Sequence, residues 1–168
     1  CLSSENFLSN LNTTLTSQKV KAVLVSFPHN PTTLTVNQEF YDELVSLARR
    51  YNFLIINDFA YSDIYFNEEK PPSLLNSDPQ FDHTVELYSL TKGYSMAGWR
   101  VGFAVGNESA ISSLTKLKSY IDYGTFQPIQ IASTVAINEL DDYPKEVSSI
   151  YQDRKILAEE YLTKYGFE

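Results

Sequence analysis

Lys92 lies in the stretch SLTKGYSMAGWRVG, residues 89–102, among small hydroxyl residues and glycines, with Arg100 eight positions further on. A lysine amine can act as a nucleophile or a proton carrier, and a guanidinium is a forked donor for anions. An ordinary surface lysine needs none of this company. Three more candidates precede it: Asn30 in PHNPT, and Asp58 and Tyr61 in NDFAY. Taken singly, each has an ordinary structural role. Asn before Pro is typical turn chemistry, Asp after a strand usually caps a turn or helix, and one of twelve tyrosines usually belongs to a core.

The elements that must carry these residues are legible. KAVLVSF (21–27) is a short buried-strand pattern that ends where two prolines follow, so it delivers Asn30 into a loop. Thr35 with Gln38 forms a capping-box pattern, and Phe40, Leu44, Leu47, Ala48 and Tyr51 then fall on one helical face. FLII (53–56) is the next strand, so strand, helix and strand make a βαβ unit, with Asn30 and Asp58 beyond strand carboxyl ends. Ligands of open α/β sheets bind at that edge.

Residues 67–84 contain three prolines and no period, which predicts a long loop of the functional or mobile kind. VELYSL (85–90) and VGFAVG (101–106) are strands, placing Lys92 in the connection between them. From residue 108 the periodicity is helical. Ile111, Leu114, Leu117 and Ile121 share a face, DYGTFQP (122–128) interrupts, and Ile129, Ala132, Val135 and Ala136 resume. Asp141 to Pro144 break the pattern again before a final amphipathic helix running from Val147 to Tyr165.

Composition narrows the function classes. The 168 residues are 43% hydrophobic with a net charge of −8, and no basic stripe exists to bind nucleic acid. Cys1 is the single cysteine, which leaves no internal disulfide and suits a cytoplasmic protein. No apolar run approaches the roughly 20 residues of a membrane span. His29 could line a pocket, but neither it nor His83 stands at metal-ligand spacing, the acidic pairs at 68–69 and 141–142 read as solvated turns, and GFAVG lacks the dinucleotide-binding spacing.

In order and spacing, the candidates resemble the fold-type I pyridoxal 5′-phosphate (PLP) aminotransferases, class I/II. That family carries Asn-Pro after one strand, Asp-x-x-Tyr after the next, then Ser-x-x-Lys and Gly-x-Arg-x-Gly; here these are Asn30–Pro31, Asp58 and Tyr61, Ser89 and Lys92, and Gly98, Arg100 and Gly102. The resemblance implies a three-layer α/β fold with a mostly parallel central sheet, incomplete here, and C-terminal helices. It implies that Lys92 forms the Schiff base with the cofactor aldehyde and then moves the substrate proton. By the same resemblance Asp58 pairs with the pyridine nitrogen, Asn30 and Tyr61 hold the phenolic oxygen, and Ser89 and Arg100 bind the phosphate. Thr91 is equally a further phosphate contact or a loop hydroxyl, and Gly93 and Gly98 are expected where the backbone turns sharply.

The stretches 93–103 and 118–132 look most like the bacterial glutamate-pyruvate (alanine) transaminase branch, beside the LL-diaminopimelate aminotransferases. That branch implies alanine or glutamate with pyruvate or 2-oxoglutarate as amino-acid and 2-oxo-acid substrates, in a homodimer. Tyr123 and Phe126 fall where the family reaches the partner's active site, and the lack of arginine there disfavours strict aspartate specificity. The chain resembles a fragment of the family: 1–142 the central part of the cofactor-binding large domain, and 143–168 a long helix leading toward a small domain. Such a fragment alone is expected to have little activity. A C–S lyase or another fold-type I enzyme, an LL-diaminopimelate or aspartate aminotransferase, and a non-catalytic effector-binding domain remain alternatives.

Overall fold

The computed structural model describes residues 4–167; Cys1 lies outside them. Four strands form one sheet in the order β1 (Ala22–Ser26), β2 (Leu54–Asp58), β3 (Thr84–Ser89), β4 (Gly102–Gly106). The first three run parallel and β4 returns antiparallel to β3. The helices are α1 (Ser4–Ser17), α2 (Gln38–Tyr51), the single turn α3 (Leu90–Gly93), α4 (Glu108–Ile121), α5 (Gln127–Glu139) and α6 (Tyr143–Lys164). Every predicted strand is present within a few residues of its expected bounds.

The main core lies on one face of the sheet. The buried face of α2, comprising Phe40, Tyr41, Leu44, Val45, Leu47 and Ala48, packs with Leu8 and Leu15 of α1, Val25, Phe53, Ile55 and Leu74. Fully burying a side chain of Val or Leu size is worth about 1.5–3 kcal/mol, so this face carries most of the folding drive. Tyr51, the last of the expected apolar stripe, packs at the margin of this core. On the opposite face Leu24 is 69% exposed. The periodic reading did not include α1, although Phe7, Leu8, Leu11 and Leu15 all contact this core at helical spacing.

Two boundaries differ from expectation. The cap of α2 is Asn37, whose side chain accepts from the Phe40 N–H at 3.1 Å, rather than Thr35. Asn37 immediately precedes the first helical residue, whereas Gln38, the other half of the supposed box, turns its amide to Ser77 Oγ at 2.6 Å. Pro144 does not break a helix but stands in the first turn of α6, where a missing N–H costs nothing. The interruption is confined to residues 140–142.

The long loop after β2 is anchored rather than free, and the anchors are buried polar groups. Glu86, on β3 opposite Asn57 of β2, accepts from Asn57 Nδ2 (3.0 Å), Ser73 Oγ (2.7 Å) and Leu74 N–H (2.9 Å). A short 3-10 turn, Leu74–Ser77, follows and docks on α2 through the hydroxyl of Ser77, which donates to Asp42 at 2.6 Å. Asp78 is fully buried and accepts from His83 N–H (2.8 Å), Thr84 Oγ1 (3.2 Å) and Arg49 (3.0 Å). Burial alone would raise the Asp78 carboxyl, but the His83, Arg49 and Thr84 hydrogen bonds and the Arg49 charge outweigh it and hold it below the usual carboxylate range.

A carboxyl depressed on folding contributes stability that is present above its unfolded value, near 3.8, and is lost as pH falls through the lower folded value. The urea midpoint should therefore decline below about pH 4, and decline less steeply for Asp78→Asn. Asp78→Ala, which leaves two buried donors unpaired, should cost about 1–3 kcal/mol in denaturant titrations at neutral pH.

Candidate active site

Parallel pairing sets Ser26, Asp58 and Leu87 side by side at the carboxyl edge of the sheet. The candidate residues leave from this edge. Beyond β1, Asn30 Nδ2 donates to the Tyr61 hydroxyl at 2.7 Å. Beyond β2, a tight turn follows Asp58: its carboxylate accepts from Ala60 N–H at 3.2 Å, Ser62 N–H bonds to the Phe59 carbonyl and Ile64 N–H to that of Tyr61. Beyond β3, Ser89 caps α3 by accepting from Thr91 N–H at 3.2 Å. This single turn carries Lys92, whose Nζ lies 5.4 Å from the centroid of the Tyr61 ring.

Asn30, Tyr61 and Lys92 thus meet in space from three separate strand ends. Asp58 and Ser89 end the two adjacent strands β2 and β3. Arg100 is exposed on the turn back to β4, in left-handed backbone (φ 52°), with its guanidinium on the Ala97 carbonyl at 3.1 Å. Tyr123 and Phe126, in the connection between α4 and α5, are 92% and 70% exposed. His29 bonds to Thr32 and lines, with Asn30, Tyr61, Tyr65 and Lys155, a cleft of about 630 Å³ beside the site.

The turn bearing Lys92 is held from several sides. Leu90 is fully buried with Met96 and Ala136 of α5. Tyr94 stacks on Tyr143 of α6, and Ser148 of α6 bonds through its hydroxyl to both the N–H and the carbonyl of Tyr65. Spacing alone did not single out two further residues: the Tyr88 hydroxyl donates to Asp63 Oδ2. Burial, reinforced by the bond to Asp63 and that carboxylate's charge, pushes the Tyr88 phenol well above its ordinary range, so it remains a donor at any working pH. Asp63 and Tyr88 are 25 residues apart, and no sequence period links them.

Among the described residues no group of three or more His, Cys, Asp or Glu side chains gathers as a metal site. Nor is any helix among them long and apolar enough to cross a membrane. The arrangement offers a half-buried amine over an aromatic ring, a hydroxyl fixed by an amide, and a carboxylate at the neighbouring strand end.

The family model for aminotransferase class I and II matches residues 3–167. The chain belongs to that family. Among curated aminotransferases it is 39% identical to the glutamate-pyruvate aminotransferase AlaC of Escherichia coli over 149 residues, covering 89% of this chain and 36% of that one. It is 39% identical to the LL-diaminopimelate aminotransferase of Aquifex aeolicus over 165 residues, 97% of this chain and 43% of the relative. A solved aminotransferase from Staphylococcus aureus superimposes with a TM-score of 0.81 at 38% identity, over 87% of this chain and 39% of that one. The chain therefore spans about two fifths of the length of the aminotransferases it matches.

The two expected turn glycines have different origins in this aminotransferase chain. Gly93 is required by close approach: a Cβ there would stand 2.9 Å from Asp63 Cβ and Cγ, and nearer still to Oδ2. Gly98 would meet nothing within 4 Å, and the left-handed positions of the turn are Ser95 and Arg100. Gly93→Ala should therefore lower stability by about 1–3 kcal/mol in thermal or denaturant melts, whereas Gly98→Ala should stay within about 0.5 kcal/mol.

Proposed function

We propose that this chain is the cofactor-binding centre of a PLP-dependent aminotransferase that moves an amino group between an amino acid and a 2-oxo acid. The observation that carries this reading is the meeting of Lys92 with the Asn30–Tyr61 pair at the carboxyl edge of the sheet. The donor set suits PLP group by group. The Tyr61 hydroxyl, accepting from Asn30, keeps its own proton to donate to a phenolic oxygen. The Asp58 carboxylate, with Oδ1 on Ala60 N–H, is the anion that would hold a protonated pyridine nitrogen. The Ser89 hydroxyl, accepting from Thr91 N–H, likewise retains its proton for a phosphate, and Arg100 adds the charged fork.

PLP, when bound, supplies an electron sink that stabilises negative charge at the substrate Cα. The remaining work falls to the chain. Lys92 Nζ would be the amine that holds the cofactor and, when free, the base that would carry the substrate Cα proton. Asp58 would pair with the ring nitrogen, and Asn30 with Tyr61 would hold the phenolic oxygen. Residues 1–142 would be the central part of the large domain and 143–168 a helix leading toward a small domain of the complete encoded protein. Tyr123 and Phe126, standing free on this surface, suit a role at a partner subunit's site in a homodimer.

Alanine or glutamate, with pyruvate or 2-oxoglutarate, is the favoured substrate pair. The Aquifex aeolicus relative favours LL-diaminopimelate as a second reading, and amino-donor assays of the complete protein separate the two. To test the cofactor reading, the complete protein is incubated with PLP, reduced with borohydride and mapped by mass spectrometry. The pyridoxyl mass is expected on Lys92; label scattered over other lysines, or none, would remove the reading. Lys92→Ala should keep PLP affinity through the ring and phosphate contacts while losing about a thousand-fold or more in turnover.

A further inference from the structure

Asp63 touches the chain on both sides of Lys92. Its Oδ2 accepts from the hydroxyl of Tyr88, at the end of β3. Its side chain also lies against the Cα of Gly93, at the end of α3, so closely that no Cβ fits between them. Asp63 itself stands on the tight turn that begins at Asp58 and carries Tyr61, a turn closed by the Ser62 and Ile64 N–H bonds. Tyr65 of the same turn is fastened to Ser148 of α6. Tyr88 is likewise immobilised, stacking on Phe103 across the β3–β4 pair with ring centroids 4.9 Å apart. One carboxylate therefore bridges two stiff segments, one bearing Asp58 and Tyr61 and the other bearing Lys92.

We propose that Asp63 is a positioning residue, which through the Tyr88 hydroxyl and the Gly93 contact fixes the separation between Lys92 and the Asp58–Tyr61 turn. The proposal rests on the reading of Lys92 as the cofactor-attaching amine. Its physical basis is that attack on a carbonyl depends on near-attack geometry, and displacement of about 1 Å costs as much as a hundred-fold in rate. Neither Asp63 nor Tyr88 needs to touch the cofactor. A hydrogen bond is the suitable device because it fixes both distance and direction. Gly93 sets the second contact, because any larger residue would lever α3 away from the turn.

The test measures the rate at which borohydride-trappable pyridoxyl forms on Lys92 of the complete protein, together with the visible absorption band of the PLP-loaded protein and Tm. Asp63→Ala and Tyr88→Phe should each slow attachment about ten-fold and shift the band. The double variant should be no slower than Asp63→Ala alone, since Asp63→Ala already removes the bond that Tyr88→Phe removes. Asp63→Asn, which keeps an acceptor for the Tyr88 hydroxyl, should restore the rate to near that of the parent.

Parent rates in Asp63→Ala and Tyr88→Phe would overturn the proposal, as would losses that add in the double variant or rates that simply follow Tm. If Asp63→Ala fails to fold, Tyr88→Phe, which keeps the ring's shape, decides alone: a slowed rate supports the bridge and an unchanged rate overturns it. Absence of label on Lys92 in the parent is a separate outcome; it overturns the cofactor reading, and the positioning role falls with it.

Discussion

The parallel register of β1, β2 and β3 is the constraint on which the rest of the site depends. Pairing Ser26 with Asp58 and Asp58 with Leu87 ends β1 and β2 at one level, with β3 running two residues further to Ser89, so the loops that follow leave from a common edge. Parallel neighbours require a crossover on one face of the sheet, and α2 supplies the one between β1 and β2, with its buried face sealing that side. The carboxyl edge stays free of the core. Polar residues that would be costly inside, among them Asn30, Tyr61 and Lys92, can therefore stand close together without being buried among apolar side chains.

The antiparallel return of β4 makes the site different from a plain βαβ edge. Ser89 pairs with Gly102, and the N–H of Leu90 bonds to the Val101 carbonyl, so the chain leaving β3 must turn back within a short span. That span contains α3, and Lys92 is held on a single helical turn rather than on a flexible loop. Buried Leu90 and Met96 below, Tyr94 on Tyr143 beside, and Asp63 against Gly93 restrict it from different directions. A long, flexible lysine side chain loses less entropy on taking up a working pose when its backbone is already fixed.

Anchoring extends to the segment that looked least structured. Residues 67–84 contain prolines and polar residues and no period, yet Glu86 and Asp78 gather its backbone and side-chain donors into the interior. Such buried acceptors act only when their donors arrive from several elements together, which is a tertiary condition. The same holds for Ser148 and Gln152 of α6, which fasten Tyr65 and Asn67 across more than 80 residues of chain.

The sequence by itself determined the strands, most of the helices and the site-bearing loops. Apolar runs end at Pro, Asn and Asp, and periods of 3.6 residues mark α2, α4 and α6, because those signals are local consequences of backbone geometry; of the three, only α2 buries its apolar face along its length among the described residues. Spacing also determined the family resemblance, from Asn30 through Asp58 and Tyr61 to Lys92 and Arg100. Only the tertiary structure decided that Asn37 caps α2, that Gly93 is small because Asp63 lies against it, and that the Tyr88 hydroxyl bonds to Asp63. These depend on contacts between residues 25 or more apart, or on which of two nearby polar groups finds a better partner elsewhere. A one-dimensional pattern records which residues are apolar and where the chain turns, but not the distance between two turns brought together by a sheet.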